Sequence, residues 1–259
     1  MGERTSYTPG TFCWAELATT DVEGAKSFYG SVFGWEAQDT PAAEGGEYSM
    51  MLIDGKSVAA MGAQPPQQTQ AGVPPMWQSY VSVESADASA EKAGELGGHV
   101  HAPPFDLMEA GRAAVIQDPQ GAVFLLWEPK TFAGASLVNG PSLMNWNELA
   151  SPDIEGSTAF YGELFGWKID QLPDSPVPYY EIKSAAGRRN GGIREPQPGE
   201  PPNWGVYFGC DDVSPAMELV SALGGAFMGD PVQIATGTIG VCRDPQGAMF
   251  NLYAGEFEA

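Results

Sequence analysis

The chain has 259 residues, 43% of them hydrophobic, and its 33 acidic side chains against 12 basic ones give a net charge of −21. That hydrophobic content suits globular cores and excludes a disordered chain, no apolar run reaches the roughly 18 residues of a membrane span, and a surface this negative repels phosphate backbones and so argues against a nucleic-acid partner. The opening segment 1–10 is polar and lacks a signal-peptide core, and Cys13, Cys210 and Cys242 are odd in number and not spaced for zinc. A soluble, cytoplasmic protein in a reducing compartment is expected.

Residues 1–10 read as a loose lead-in, and 11–19 alternate as a strand. Asp21 stands where a helix N-cap belongs, Ala25, Phe28, Tyr29 and Val32 follow at helical spacing, and Gly34 closes the helix. Strands are predicted over 35–40, 47–53 and 57–62, the last two joined by a hairpin at Asp54-Gly55. The Pro- and Gln-rich stretch 64–75 reads as a loop. A strand over 77–83, a helix over 86–96 and strands near 98–102, 112–117 and 122–128 follow. Residues 132–141 read as a linker. The second half repeats the pattern, with a strand over 143–150, a helix over 154–164, strands near 167–171, 178–184 and 190–194, and a loop over 196–202. It closes with a strand over 204–210, a helix over 214–223 and strands near 226–228, 238–243 and 248–253.

The two halves share more than order. Trp14-x-Glu16-Leu17, Asp21, Phe28-Tyr29 and Phe33-Gly34-Trp35 return as Trp146-x-Glu148-Leu149, Asp153, Phe160-Tyr161 and Phe165-Gly166-Trp167 at the same spacing. Asp118-Pro119-Gln120-Gly121-Ala122 returns as Asp244-Pro245-Gln246-Gly247-Ala248. Such a duplication divides the chain into modules over 1–134 and 135–259. Each module reads as a pair of βαβββ units, an α+β fold whose curved mixed sheet forms a cup with helices on its outer face. Alternation along the first strand sends Cys13, Ala15 and Leu17 toward the helix and Phe12, Trp14 and Glu16 into the cup, with Trp146 and Glu148 as the matching pair.

These motifs resemble the vicinal oxygen chelate superfamily of glyoxalases, bleomycin-resistance proteins, fosfomycin-resistance enzymes and extradiol dioxygenases. More narrowly, the chain is similar to tandem glyoxalase-like proteins of actinobacteria, some of them designated hydroxylases and some similar to accessory proteins of aromatic polyketide pathways. The resemblance implies a divalent metal held by His, Glu or Gln at four strand positions in a cup. In this chain those positions fall on Trp14, Gln78, Leu125 and near Ala60, and in the second module on Trp146, Gly205, Asn251 and near Gly192. Indole, Leu and Gly give a metal nothing, so no metal and no cofactor are expected. The two histidines, His99 and His101, share one face of a strand, where a pair can ligate a metal, and are read instead as a solvated strand end after Gly97-Gly98.

A Trp beside a Glu in each cup suggests different chemistry. Trp14 and Trp146 offer flat faces to a planar ligand, and a partly desolvated Glu16 or Glu148 could serve as a general acid or base. Gln78, Tyr80 and Ser82 share a face, Tyr207 matches Tyr80, and Trp127 and Tyr253 lie two residues past Leu125 and Asn251. Arg112 could meet an anionic ligand group or a surface carboxylate. Met50, Met51, Met61, Met76 and Met108 would add adaptable surface near the first cup. The expected function is metal-free binding of a planar, largely apolar molecule such as an aromatic polyketide or an antibiotic, for sequestration or for delivery to a partner enzyme in natural-product biosynthesis or resistance, by a monomer or homodimer with no membrane partner. A metal-independent isomerase, cyclase or hydroxylation-assisting enzyme, a metal-dependent lyase or dioxygenase, and an interaction protein with vestigial cups are the alternatives.

Overall fold

The structure is a computed structural model that describes residues 2–41, 47–173, 175 and 177–257. The first half runs β1 (Gly2–Glu3), β2 (Phe12–Thr19), α1 (Val22–Phe33), β3 (Glu36–Pro41), β4 (Glu47–Ile53), β5 (Lys56–Ala63), α2 (Pro66–Gln70), β6 (Met76–Ser82), α3 (Ala86–Glu95), β7 (His99–Leu107), β8 (Gly111–Gln117), β9 (Val123–Pro129) and β10 (Leu137–Val138). The second runs β11 (Met144–Ala150), α4 (Ile154–Phe165), β12 (Lys168–Gln171), β13 (Tyr179–Lys183), β14 (Arg189–Arg194), β15 (Asn203–Gly209), α5 (Val213–Ala222), β16 (Ala226–Phe227), β17 (Val232–Ile234), β18 (Gly237–Arg243) and β19 (Met249–Gly255). No helix among the described residues is long and apolar enough to cross a membrane.

Each half builds one mixed sheet. The first has the order β3-β4-β5-β2-β6-β9-β8-β7 and the second β12-β13-β14-β11-β15-β19-β18-β16, with β17 also on β18. In the first, β2 pairs in parallel with β5 and β6 with β9, and the antiparallel β2–β6 seam joins the two βαβββ units. The helix signals act as read. Asp21 Oδ1 accepts from Gly24 N at 2.9 Å and Asp153 Oδ1 from Gly156 N at 2.9 Å, and Gly34 and Gly166 close α1 and α4 in the left-handed region.

The core lies where the modules meet. Phe33 of α1 packs at 5.3 Å from Phe208 of β15, and Phe124 of β9 at 5.5 Å from Tyr161 of α4. Ser79 Oγ on β6 donates to Asn147 Oδ1 on β11 at 2.7 Å. The helix-bearing faces of the two sheets therefore cover each other, and the cups face away from the shared core. Met51 and Met61, fully buried in this core with Leu17, belong to it rather than to the first cup, while Met108 is 80% exposed on the β7–β8 turn.

The duplicated motifs hold this interface. Asp118 Oδ1 accepts from the backbone N–H groups of Gln120, Gly121 and Ala122, and its Oδ2 accepts from Tyr161 of the other module at 2.9 Å. Tyr161 in turn accepts from Trp204 Nε1 at 2.9 Å. The reciprocal chain runs from Trp77 Nε1 to Tyr29 to Asp244, at 2.9 and 3.0 Å. Gly121 and Gly247, at φ +110° and +109°, allow the turns that wrap each Asp.

Four readings change. Apart from Met1, which lies outside the described residues, the lead-in is tied down: β1 pairs with β10, and Gly10 O accepts from Trp167 Nε1 at 2.6 Å and from Asn190 Nδ2 at 3.0 Å. Phe12 leaves the cup set, because a register shift between Phe12 and Trp14 turns it into the second module's core, 4.9 Å from Trp204. The 64–75 loop contains α2, started by Pro66 at its first turn. Finally, β7 continues through Pro103-Pro104 to Leu107, which an edge strand with register shifts tolerates.

Candidate functional site

The β2–β6 register sets Trp14 opposite Tyr80 and Glu16 opposite Gln78, while β5 brings Ala60 beside Glu16 and β9 brings Leu125 beside Tyr80. Trp14, Tyr80, Leu125 and Trp127 are buried walls of the first cup. Phe132, just past β9, packs edge-on against Trp14 at 4.9 Å and near Trp127 at 6.2 Å, and Trp127 Nε1 donates to Phe132 O at 2.9 Å. The accessible floor consists of half-buried Glu16, Tyr48, Met50, Gln78 and Val115. Glu16 Oε2 accepts from Tyr48 at 2.9 Å and from Tyr80 at 3.1 Å. Burial pushes the Glu16 carboxyl above its ordinary range, and the two phenol hydrogen bonds offset this only in part. Tyr48 and Tyr80 are themselves pushed well up, first by burial and then by the Glu16 charge.

The second cup repeats the frame with different charges. Glu148, 7% exposed, accepts from Tyr207 at 2.9 Å and from Arg194 Nε at 2.6 Å. Arg194 also grips Glu200 with both terminal nitrogens, at 2.7 and 2.8 Å. Burial works against the Arg194 charge, but Glu200 and Glu148 outweigh it and hold the guanidinium protonated. Trp146 Nε1 donates to Tyr179 at 2.9 Å, and the Arg189 guanidinium lies 5.3 Å from the Trp146 ring. The asymmetry is one of residue identity at a shared register, Arg194 standing where the first module has Gly62. Tyr179 pairs with Arg194, whereas its counterpart Tyr48 pairs with Gly62. One cup thus neutralises its carboxylate with a fixed cation, and the other leaves Glu16 to two phenols.

Of the residues singled out by sequence, the structure brings Trp14, Glu16, Gln78, Tyr80 and Trp127 together in one cup and Trp146, Glu148, Tyr207 and Asn251 in the other. Asn251 pairs with Tyr207, and its amide donates to Val206 O at 3.4 Å. Tyr253 turns to the end of its strand, donating to Thr236 O at 2.8 Å. Arg112 stands apart, gripping Asp87 with two nitrogens at 2.7 and 2.9 Å and lying 3.5 Å from Asp106. His99 and His101 are exposed on edge strand β7, with ring centroids 4.7 Å apart. Burial pushes all three cysteine thiols up, Cys210 and Cys242 to about 12, which leaves them unreactive near neutral pH. Sequence reasoning missed Tyr48, Tyr179, Arg194 and Phe132. Alternation on 47–53 does place Tyr48 and Met50 on one face, but nothing local says which partner strand they meet.

The profile of the Glyoxalase/Bleomycin resistance protein/Dioxygenase superfamily matches residues 11–126 and again 143–252. The chain belongs to that superfamily. Among curated proteins, it is 38% identical over 255 residues to a Mycobacterium tuberculosis protein named "Putative glyoxylase CFP32", covering 97% of each chain. It is 30% identical over 266 residues to the anthracycline biosynthesis protein DauV of Streptomyces sp. (strain C5), covering 96% of this chain and 94% of that one. The Mn(II)-bound glyoxalase of Novosphingobium aromaticivorans shares the fold at a TM-score of 0.66 and 17% identity, over 96% of this chain and 83% of that one.

Superfamily membership implies a divalent metal in the cup, and the side chains can be tested against it. The first cup offers Trp14, Ala60, Gln78 and Leu125 at the four positions, and its one carboxylate already accepts two phenol protons on one oxygen. The second offers Trp146, Gly192, Gly205 and Asn251, and its carboxylate is engaged by Arg194 and Tyr207. Among the described residues no group of three or more His, Cys, Asp or Glu side chains is placed to hold a metal. Neither donor set fits a divalent ion of the superfamily's kind.

Proposed function

We propose that the protein is a metal-free binder of a planar, largely apolar small molecule of the aromatic polyketide class, held in the first cup for sequestration or delivery in the cytoplasm. The observation that carries this reading is the contrast between the cups. The first surrounds a carboxyl that meets no cation among the described residues with Trp14, Met50, Leu125, Trp127 and Phe132, whereas the second fills its centre with the Glu148–Arg194–Glu200 array. Apolar walls with a few convergent polar groups, here Glu16, Tyr48, Tyr80 and Gln78, are the usual make-up of a small-molecule site. The relatives in anthracycline biosynthesis favour a polycyclic aromatic ligand. Tryptophan fluorescence titrated with a panel of hydroxylated anthraquinones tests the reading. Saturable quenching in protein stripped with a chelator is expected, and silence across the panel would sink it.

A second reading rests on Glu16 itself. A carboxyl raised by burial and hydrogen-bonded to two phenols is suited to moving a proton to or from a bound aromatic ketone in an isomerisation or cyclisation. Glu16→Gln keeps an acceptor for Tyr48 and Tyr80. If the protein is a catalyst, this change abolishes turnover of a candidate substrate while binding persists. If it is a binder, the change leaves affinity within about threefold. Stoichiometric Mn, Fe, Ni or Zn in the purified protein would contradict both readings.

A further inference from the structure

A cleft of about 870 Å³ opens between the amino-terminal segment, the start of β11 and the β13–β14 hairpin. Its charge is out of keeping with the rest of the molecule. In a chain whose acidic residues outnumber its basic ones by 33 to 12, the described residues lining it include Arg4, Arg188 and Arg189 and no Asp or Glu. Arg189 is engaged by Glu181 at 2.5 Å and lies over Trp146. Arg4 and Arg188 form no ion pair with a described carboxylate, and Arg188 is exposed. Asn145, also on the cleft wall, has a buried amide nitrogen with no hydrogen-bond partner among the described residues. A buried donor left unpaired is costly, so an acceptor arriving there is favoured.

The duplication shows why this ground is open. Asn145 and Arg189 occupy the repeat positions of Cys13 and Ser57. In the first module the linker covers both, with Ala135 N donating to Cys13 O at 2.9 Å and Ser136 N to Ser57 O at 2.7 Å. In the second, the equivalent strip forms the cleft wall, with arginines at its rim.

We propose that this cleft binds a small organic anion, its carboxylate, sulfonate or phosphate held by Arg4, Arg188 and the Asn145 amide and its flat body beside Trp146. Guanidinium groups recognise such oxyanions through paired N–H donors. The site is separate from the first cup, so it stands or falls independently of the function proposed above.

Calorimetric titration of the full chain with 2-naphthoate and with neutral 2-naphthamide tests it. Saturable one-to-one binding of the naphthoate is expected, at least tenfold tighter than the amide and weakening as salt rises. Arg4→Gln with Arg188→Gln should weaken naphthoate at least tenfold, while the charge-matched surface pair Lys92→Gln with Lys130→Gln should leave it within threefold. Equal affinity for acid and amide, no saturable naphthoate binding, or equal losses in the two double variants would overturn the proposal.

Discussion

At the scale of single residues, the repeated Trp-x-Glu pair has diverged in its surroundings while keeping its sequence. Glu16 is held protonated to higher pH than a free glutamate, with burial as the chief cause. Its folded value lies above its unfolded one, so the fold binds the proton more tightly. The corresponding stability is fully present below the ordinary value of 4.5 and is lost as pH rises through the folded value. Urea midpoints of wild type and Glu16→Gln, measured across pH, should therefore diverge in the variant's favour on going upward through that window; parallel curves would refute the assignment. Glu148 depends on Arg194 instead. Arg194→Gln should cost about 1–3 kcal/mol in urea unfolding, because it strands a buried carboxylate beside Glu200. Both glutamates were legible as inward-facing from alternation alone. Their different fates were not, because Gly62 and Arg194 lie 46 residues further along the chain in each case, and only the strand register brings them opposite Tyr48 and Tyr179.

At the scale of elements, the Phe-Tyr and Asp-Pro-Gln-Gly motifs act as cross-module clamps. Each Tyr donates to the Asp of the other module and accepts from the Trp that begins the central strand of its own. Tyr29→Phe or Tyr161→Phe should cost about 1–3 kcal/mol each, seen as a lower urea midpoint with an unchanged m-value, because an Asp oxygen and an indole N–H both lose their partner. Helices α1 and α4 could be read from cap to cap, since Asp21, Gly34 and their repeats act locally. What escaped depends on distant chain. The β1–β10 pairing needs residues 137–138 to anchor residues 2–3, the bulge at Phe12 is stabilised by Trp204, and Arg112 finds its Asp87 partner on another element.

At the scale of the whole molecule, two sheets share two apolar clusters, each built from both halves, and present two unlike cups outward. Because Phe33, Trp35 and Trp77 pack on Phe208 of the other half, neither half completes the cover of its own helix-bearing face. Residues 1–134 expressed alone should therefore lack a cooperative thermal transition by circular dichroism or self-associate, and a monomeric, cooperatively folded fragment would contradict the shared-core account. The first cup retains the apolar walls and the lone carboxyl that a planar ligand requires, whereas the second has its centre occupied by charge. Calorimetric titration of chelator-treated protein with 1,8-dihydroxyanthraquinone, repeated on Gln78→Trp and Trp146→Leu, tests this most directly. The account predicts one metal-independent site, lost at least tenfold when Gln78→Trp fills the floor of the first cup and retained in Trp146→Leu; binding that requires added metal, or that disappears with Trp146 and not with Gln78, would contradict it.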